Sequence, residues 1–148
     1  MTQLIVSRVF DAPRELVYRA FTDPDQLAQW FGPVGFHVPR ETVELDVRVG
    51  GSEKFTMVHD EDPSFTSPVS ATFSEVIENE LIVGYEDVTG MPGFEGTVRF
   101  ESRMEFHDEG DGKTRLVITQ GPHNPEILAD AEAGWESSFT KLDALLAV

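Results

Sequence analysis

From Phe36 to Gln120 the chain alternates apolar and polar residues with a period of two, and beyond Gly121-Pro122 the period lengthens to three or four. Successive side chains of a strand point to opposite faces, so the first stretch reads as an antiparallel sheet with one buried face and one wet face. Val98, Phe100, Ser102, Met104 and Phe106 fall on one side, and Arg99, Glu101, Arg103 and Glu105 fall on the other. Val43, Leu45, Val47 and Val49 alternate in the same way with Glu44, Asp46 and Arg48, and Gly50-Gly51 then supplies the positive backbone angles of a tight hairpin turn. The next strand carries Phe55 and Met57, and Asp60-Glu61-Asp62-Pro63 interrupts it as an acidic loop. Further strands are predicted over Val69–Ile77, Leu81–Glu86, Thr97–His107 and Thr114–Gln120, the last two joined by a turn over Asp108–Gly112.

After the break, Asn124 suits the cap of a final helix with Pro125 at its first position, running nearly to Val148. Leu128, Ala131, Trp135, Phe139, Leu142 and Leu146 make an apolar stripe wide enough to lie across a sheet. At the other end, Leu4–Phe10 reads as a strand. Pro13 opens a helix that runs to about Phe21, with Leu16, Val17, Ala20 and Phe21 on one face. Asp23, with Gln26 three residues on, caps a second short helix ending at Trp30-Phe31-Gly32-Pro33, so the two helices form a compact V. The order is strand, two short helices, about six strands and a long helix, an α+β arrangement in a chain of 148 residues, the length of one domain.

Charge and composition remove several functions. The 27 acidic and 11 basic side chains give a net charge of −16, which repels a phosphate backbone and argues against nucleic acid as a partner. Cysteine is absent, so disulfides, thiolate metal sites and cysteine nucleophiles are excluded together. His37, His59, His107 and His123 lack the close spacing of metal ligands. Gly112-Lys113-Thr114 imitates the end of a phosphate-binding loop, but His107 stands where its first glycine belongs and a strand follows where a helix is needed. No Gly-x-Ser-x-Gly elbow occurs. No cofactor is expected. No apolar run reaches the roughly 18 residues of a membrane helix and the first residues lack a secretory core, so the cytoplasm is the expected location.

Several strings carry a family resemblance: Val9-Phe10-Asp11-Ala12-Pro13, Asp23-Pro24 through Leu27 to Trp30-Phe31-Gly32-Pro33, Gly50-Gly51, Glu75-Val76, and Gly134-Trp135 followed by Phe139. With the element order, they resemble the START-like superfamily, also called SRPBCC or Bet v 1-like, and within it the family related to activators of the heat-shock protein 90 ATPase. The resemblance spans essentially the whole chain. It implies a helix-grip fold, in which a curved antiparallel sheet of about seven strands closes around the C-terminal helix and the two short helices cover one end. An apolar cavity is the usual result. Members of the superfamily include carriers of hydrophobic ligands, polyketide cyclases and a co-chaperone domain, so the fold leaves the activity open.

Trp30, Phe36, Phe55, Met57, Phe73, Tyr85, Phe100, Met104, Trp135 and Phe139 are the candidate ligand-binding residues, Trp30 and Trp135 through the resemblance alone. The same side chains would equally fill an ordinary core. The segment Asp87–Gly96 reads either as a flap at a cavity mouth, with Phe94 as its apolar tip, or as a plain hairpin loop. For acid or base chemistry the candidates are His59, in phase with Phe55 and Met57, and Glu75, in phase with Phe73, with Tyr85 as a proton donor. Three functions are compatible with these residues: a small hydrophobic-ligand binding protein, a co-chaperone that stimulates a heat-shock protein 90 type ATPase, and a polyketide cyclase-like enzyme. The co-chaperone reading meets an obstacle, because the resemblance implies an additional N-terminal chaperone-binding domain for which 148 residues leave no room. Oligomeric state is left open, a homodimer included.

Overall fold

The computed structural model describes residues 2–91 and 93–147. Its strands are β1 (Thr2–Phe10), β2 (Phe36–His37), β3 (Glu44–Leu45), β4 (Ser52–His59), β5 (Thr66–Ile77), β6 (Leu81–Thr89), β7 (Thr97–Gly110) and β8 (Lys113–His123). They form one open antiparallel sheet in the order β1-β8-β7-β6-β5-β4-β2, with β3 also paired to β4. Helices α1 (Arg14–Thr22) and α2 (Pro24–Trp30) follow β1, and α3 (Leu128–Leu146) follows β8. The chain has the α+β helix-grip fold.

Local chemistry accounts for the helix ends. The Asp23 carboxylate accepts from the amides of Asp25 and Gln26, satisfying two donors that α2 leaves free at its start. Pro13 precedes α1 as its cap residue instead of occupying the first turn, and Leu16 is 40% exposed, so Val17, Tyr18, Ala20 and Phe21 form the buried face. Asn124 does accept from the amide of Glu126, but it caps a single 3-10 turn over Pro125–Ile127, and α3 begins only at Leu128.

The regular strand expected over Val43–Val49 is not formed. Only Glu44 and Leu45 pair with β4, and from Asp46 the chain folds into a turn in which the Asp46 amide donates to Ser52 O and the Gly51 amide to Arg48 O. Burial still alternates through Val43, Leu45 and Val47, whereas Val49 is exposed. The glycine pair also divides its roles: Gly50 has φ +85°, but Gly51 is needed for space, since a Cβ there would lie 2.0 Å from the Asp46 carbonyl oxygen. A β-bulge in β5 between Phe73 and Glu75 inserts Ser74 and reverses the phase of the rest of the strand.

A large part of the core lies where β1, β7 and β8 meet α1 and the second half of α3. Phe10 meets Phe139 edge to face at 5.3 Å, and Phe106 contacts both Tyr18 and Phe21. Leu116, Ile118 and Leu142 are fully buried among them. Burial of several such side chains, each worth about 1.5–3 kcal/mol, anchors α3 at this end. Arg8 on β1 pairs with Asp143 on α3, and its guanidinium also lies over the Phe139 ring. Among the described residues no helix is long and apolar enough to cross a membrane.

Candidate functional site

The first half of α3 meets the sheet quite differently. Ala131, Gly134, Trp135 and Ser138 share its inward face, and three of these four are small. Opposite them, the sheet's inward positions include Ala71, Gly84 and Ser102. Small residues on both sides leave a gap that neither layer fills, a cavity of about 340 Å³. A Cβ added at Gly134 would find no atom within 4 Å, so the space extends to the helix backbone.

Aromatic side chains wall this space. Phe31, at the end of α2, stacks edge to face on Phe55 at 4.7 Å and on Trp135 at 5.6 Å. Phe73, Phe100, Met57 and Met104 complete much of the remaining wall. The segment after α2 is fastened to α3, because the Val34 amide donates to Ser137 Oγ at 2.8 Å and Lys141 Nζ donates to Phe36 O at 3.1 Å. That end of the cavity is thereby held to the helix that roofs it.

The ten aromatic and methionine candidates separate into two groups. Phe55, Met57, Phe73, Phe100, Met104 and Trp135 border the cavity, and Tyr85 borders it without offering its ring. Tyr85 is the cross-strand partner of Glu101 on the outer face, and the Arg99 guanidinium carbon sits 4.0 Å from its ring centroid. Trp30, Phe36 and Phe139 lie away from the cavity. Trp30 is fully buried between the short helices, donating from Nε1 to Ala20 O at 2.8 Å and packing on Phe21. Phe139 belongs to the Phe10 cluster, and Phe36 packs on His59 and Phe65 at the far end of β4. Phe94 does not border the cavity either, and Pro92 of the same loop lies outside the described residues.

Neither titratable candidate reaches the cavity. Glu75 is exposed on the outer face, 3.8 Å from Arg103 Nη1, because the bulge breaks the phase that Phe73 set. His59 ends β4, where its Nδ1 accepts from the amides of Glu61 and Asp62. A cyclase reading built on His59, Glu75 and Tyr85 therefore loses its residues. Among the described residues no group of three or more His, Asp or Glu side chains is placed to hold a metal ion.

Polar residues outside the expected set also line the cavity, Glu53, Gln120 and Ser102 among them. Glu53 lies two residues before Phe55 on the same face of β4, paired across the sheet with Ala71 and Leu45. It is half-buried and lines the cavity. Burial pushes its carboxyl up to about 7, with no compensating partner among the described residues. Across the cavity, Trp135 Nε1 donates to Gln120 Oε1 at 3.1 Å while Gln120 Nε2 donates to Ser102 Oγ at 3.0 Å. This chain fixes the orientation of the Gln120 amide. Behind the wall, His123 packs edge to face on Phe100 at 5.1 Å, and burial lowers its pKa. Phase alone could have singled out Glu53, which shares the parity of Phe55 and Met57, and Gln120, which shares that of Ile118 and Leu116.

A family model described as Activator of Hsp90 ATPase homolog 1-like protein matches residues 11–147. The chain belongs to this family. Solved structures agree: a Chromobacterium violaceum protein is 29% identical with a TM-score of 0.82, covering 97% of this chain and 96% of that one. The AHSA1 protein from Silicibacter pomeroyi is 26% identical with a TM-score of 0.80, covering 99% of this chain and 98% of its own. A Nitrosomonas europaea protein at 23% identity and TM-score 0.78, covering 98% and 94% of the two chains, shares the fold. Comparison with curated proteins finds no match.

Proposed function

We propose that this protein binds a small hydrophobic or amphipathic molecule between the sheet and the first half of α3. The observation that supports this is the gap itself: about 340 Å³ of space kept open by small residues and walled by aromatic side chains. That volume is at the lower end of the range for small-molecule sites. Binding would draw on apolar burial, about 25 cal/mol per Å², with Gln120 available to orient a polar group.

The test is native mass spectrometry of the purified protein for a retained mass, together with calorimetric titration of neutral aromatic and aliphatic molecules, 2-naphthylmethanol among them. Gly134→Leu is the matched control, since its side chain would enter the cavity. Saturable binding by the natural sequence that Gly134→Leu abolishes is the expected result. Neither a retained mass nor any binding across the series overturns the reading.

A second reading, stimulation of a heat-shock protein 90 type ATPase, is favoured by the description of the matching family. A chaperone ATPase assay with and without this protein tests it, and an unchanged rate overturns it.

A further inference from the structure

The charged side chains that line the cavity are of one sign. Glu53 and Glu86 line it, and no Lys, Arg or His does among the described residues. Glu86 is exposed and sits at the mouth, whereas Glu53 lies within the wall. The other elements facing Glu53 bring no charge into the cavity: β5 presents Val69, Ala71 and Phe73, α3 presents Trp135 and Ser138, and β6 adds only Glu86. A carboxyl enclosed by protein with no ion pair is costly to ionise unless a cation joins it. The wall also carries the contiguous rings of Phe31, Phe55 and Trp135, and aromatic quadrupoles attract a cation. An anion meets the opposite conditions, repelled by two carboxyls with nothing to pair it.

We propose that the ligand is an apolar molecule carrying a protonated amine, with the Glu53 carboxylate as its counter-ion. This rests on the ligand-binding reading above and names its chemical class. The ammonium sits against Glu53 and the aromatic wall, and the apolar body fills the space beneath Ala131 and Gly134. The overall charge of −16 draws such a cation toward the protein at low salt.

Calorimetric titration with 2-naphthylmethylamine, 2-naphthylmethanol and 2-naphthoate separates the cases, because the three share one apolar body. At pH 8 the amine is expected to bind about ten-fold or more tighter than the alcohol, with naphthoate the weakest. At pH 6, where the free carboxyl holds its proton, binding the amine releases that proton to the buffer. The release is read by repeating the titration in two buffers of different ionisation enthalpy. In Glu53→Gln the preference for amine over alcohol falls to about one-fold and proton release vanishes. Equal binding of amine and alcohol, or stronger binding of naphthoate, overturns the amine assignment while leaving a ligand cavity. Retention of the preference in Glu53→Gln overturns the role of Glu53. Failure of all three probes overturns the binding reading and this proposal together. The proton release is measured on the natural sequence, so it does not depend on how the variant folds.

Discussion

At the scale of single residues, Glu53 makes stability depend on pH. Its folded-state pKa, raised from 4.5 to about 7, means that the folded chain holds this proton more tightly than the unfolded chain. The contribution is complete below about pH 4.5 and is lost as the pH rises through 7. Allowing for water in the cavity, the change amounts to about 2–3 kcal/mol. Glu53→Gln removes it, so the variant should be the more stable of the two at pH 8 and close to the natural sequence at pH 5, as read from urea unfolding. Trp135→Phe takes the donor from Gln120 Oε1 and should cost about 1 kcal/mol in the same assay. Glu53 was legible in principle, since it keeps strict phase with Phe55. A search for apolar and aromatic side chains misses it, because a glutamate in a strand is normally solvated. Glu75 failed for a different reason: a bulge is one inserted residue, and nothing in Phe73-Ser74-Glu75 announces it.

At the scale of elements, α3 does two jobs along its length. Phe139 and Leu142 bind it to the core, and Ala131, Gly134 and Ser138 leave space between it and the sheet. Gly134→Ala adds a methyl group into open space and removes the entropic handicap of a mid-helix glycine, so stability should rise by about 0.5–1 kcal/mol. A thermal midpoint higher by about 1–4 °C would register this. Gly51→Ala is the counter-case. With the Asp46 oxygen 2.0 Å from the new Cβ, the turn must shift, and a loss of about 2 kcal/mol or more is expected in urea unfolding. The apolar stripe of α3 and the long alternation of β7 were plain in the sequence because each periodicity runs for many residues. Val43–Val49 alternates just as well, yet the chain turns at Asp46, since four alternating apolar residues do not specify strand pairing when backbone bonds can be made within a turn. The gap beneath α3 was implied by the family resemblance alone, because periodicity does not reveal which small residues of α3, β5, β6 and β7 face one another across the two layers.

At the scale of the whole molecule, the acidic excess sets the response to salt. A net charge of −16 makes the folded state repel itself, and screening relieves this. Raising sodium chloride from about 20 to about 300 mM at pH 8 should therefore raise the thermal midpoint, as read by scanning calorimetry. The overall architecture was readable from element order and a few strings, and the family match over residues 11–147 agrees with it. The sheet order carries a further consequence. Among the described residues β1 is bonded only to β8, and Arg8 reaches Asp143, so this strand finds its partners more than a hundred residues further along the chain. On a ribosome, β8 and α3 must emerge before that edge can close, and the nascent chain must keep Ile5 and Val9 from pairing elsewhere in the meantime. Closure of the fold thus waits on segments made more than a hundred residues after β1.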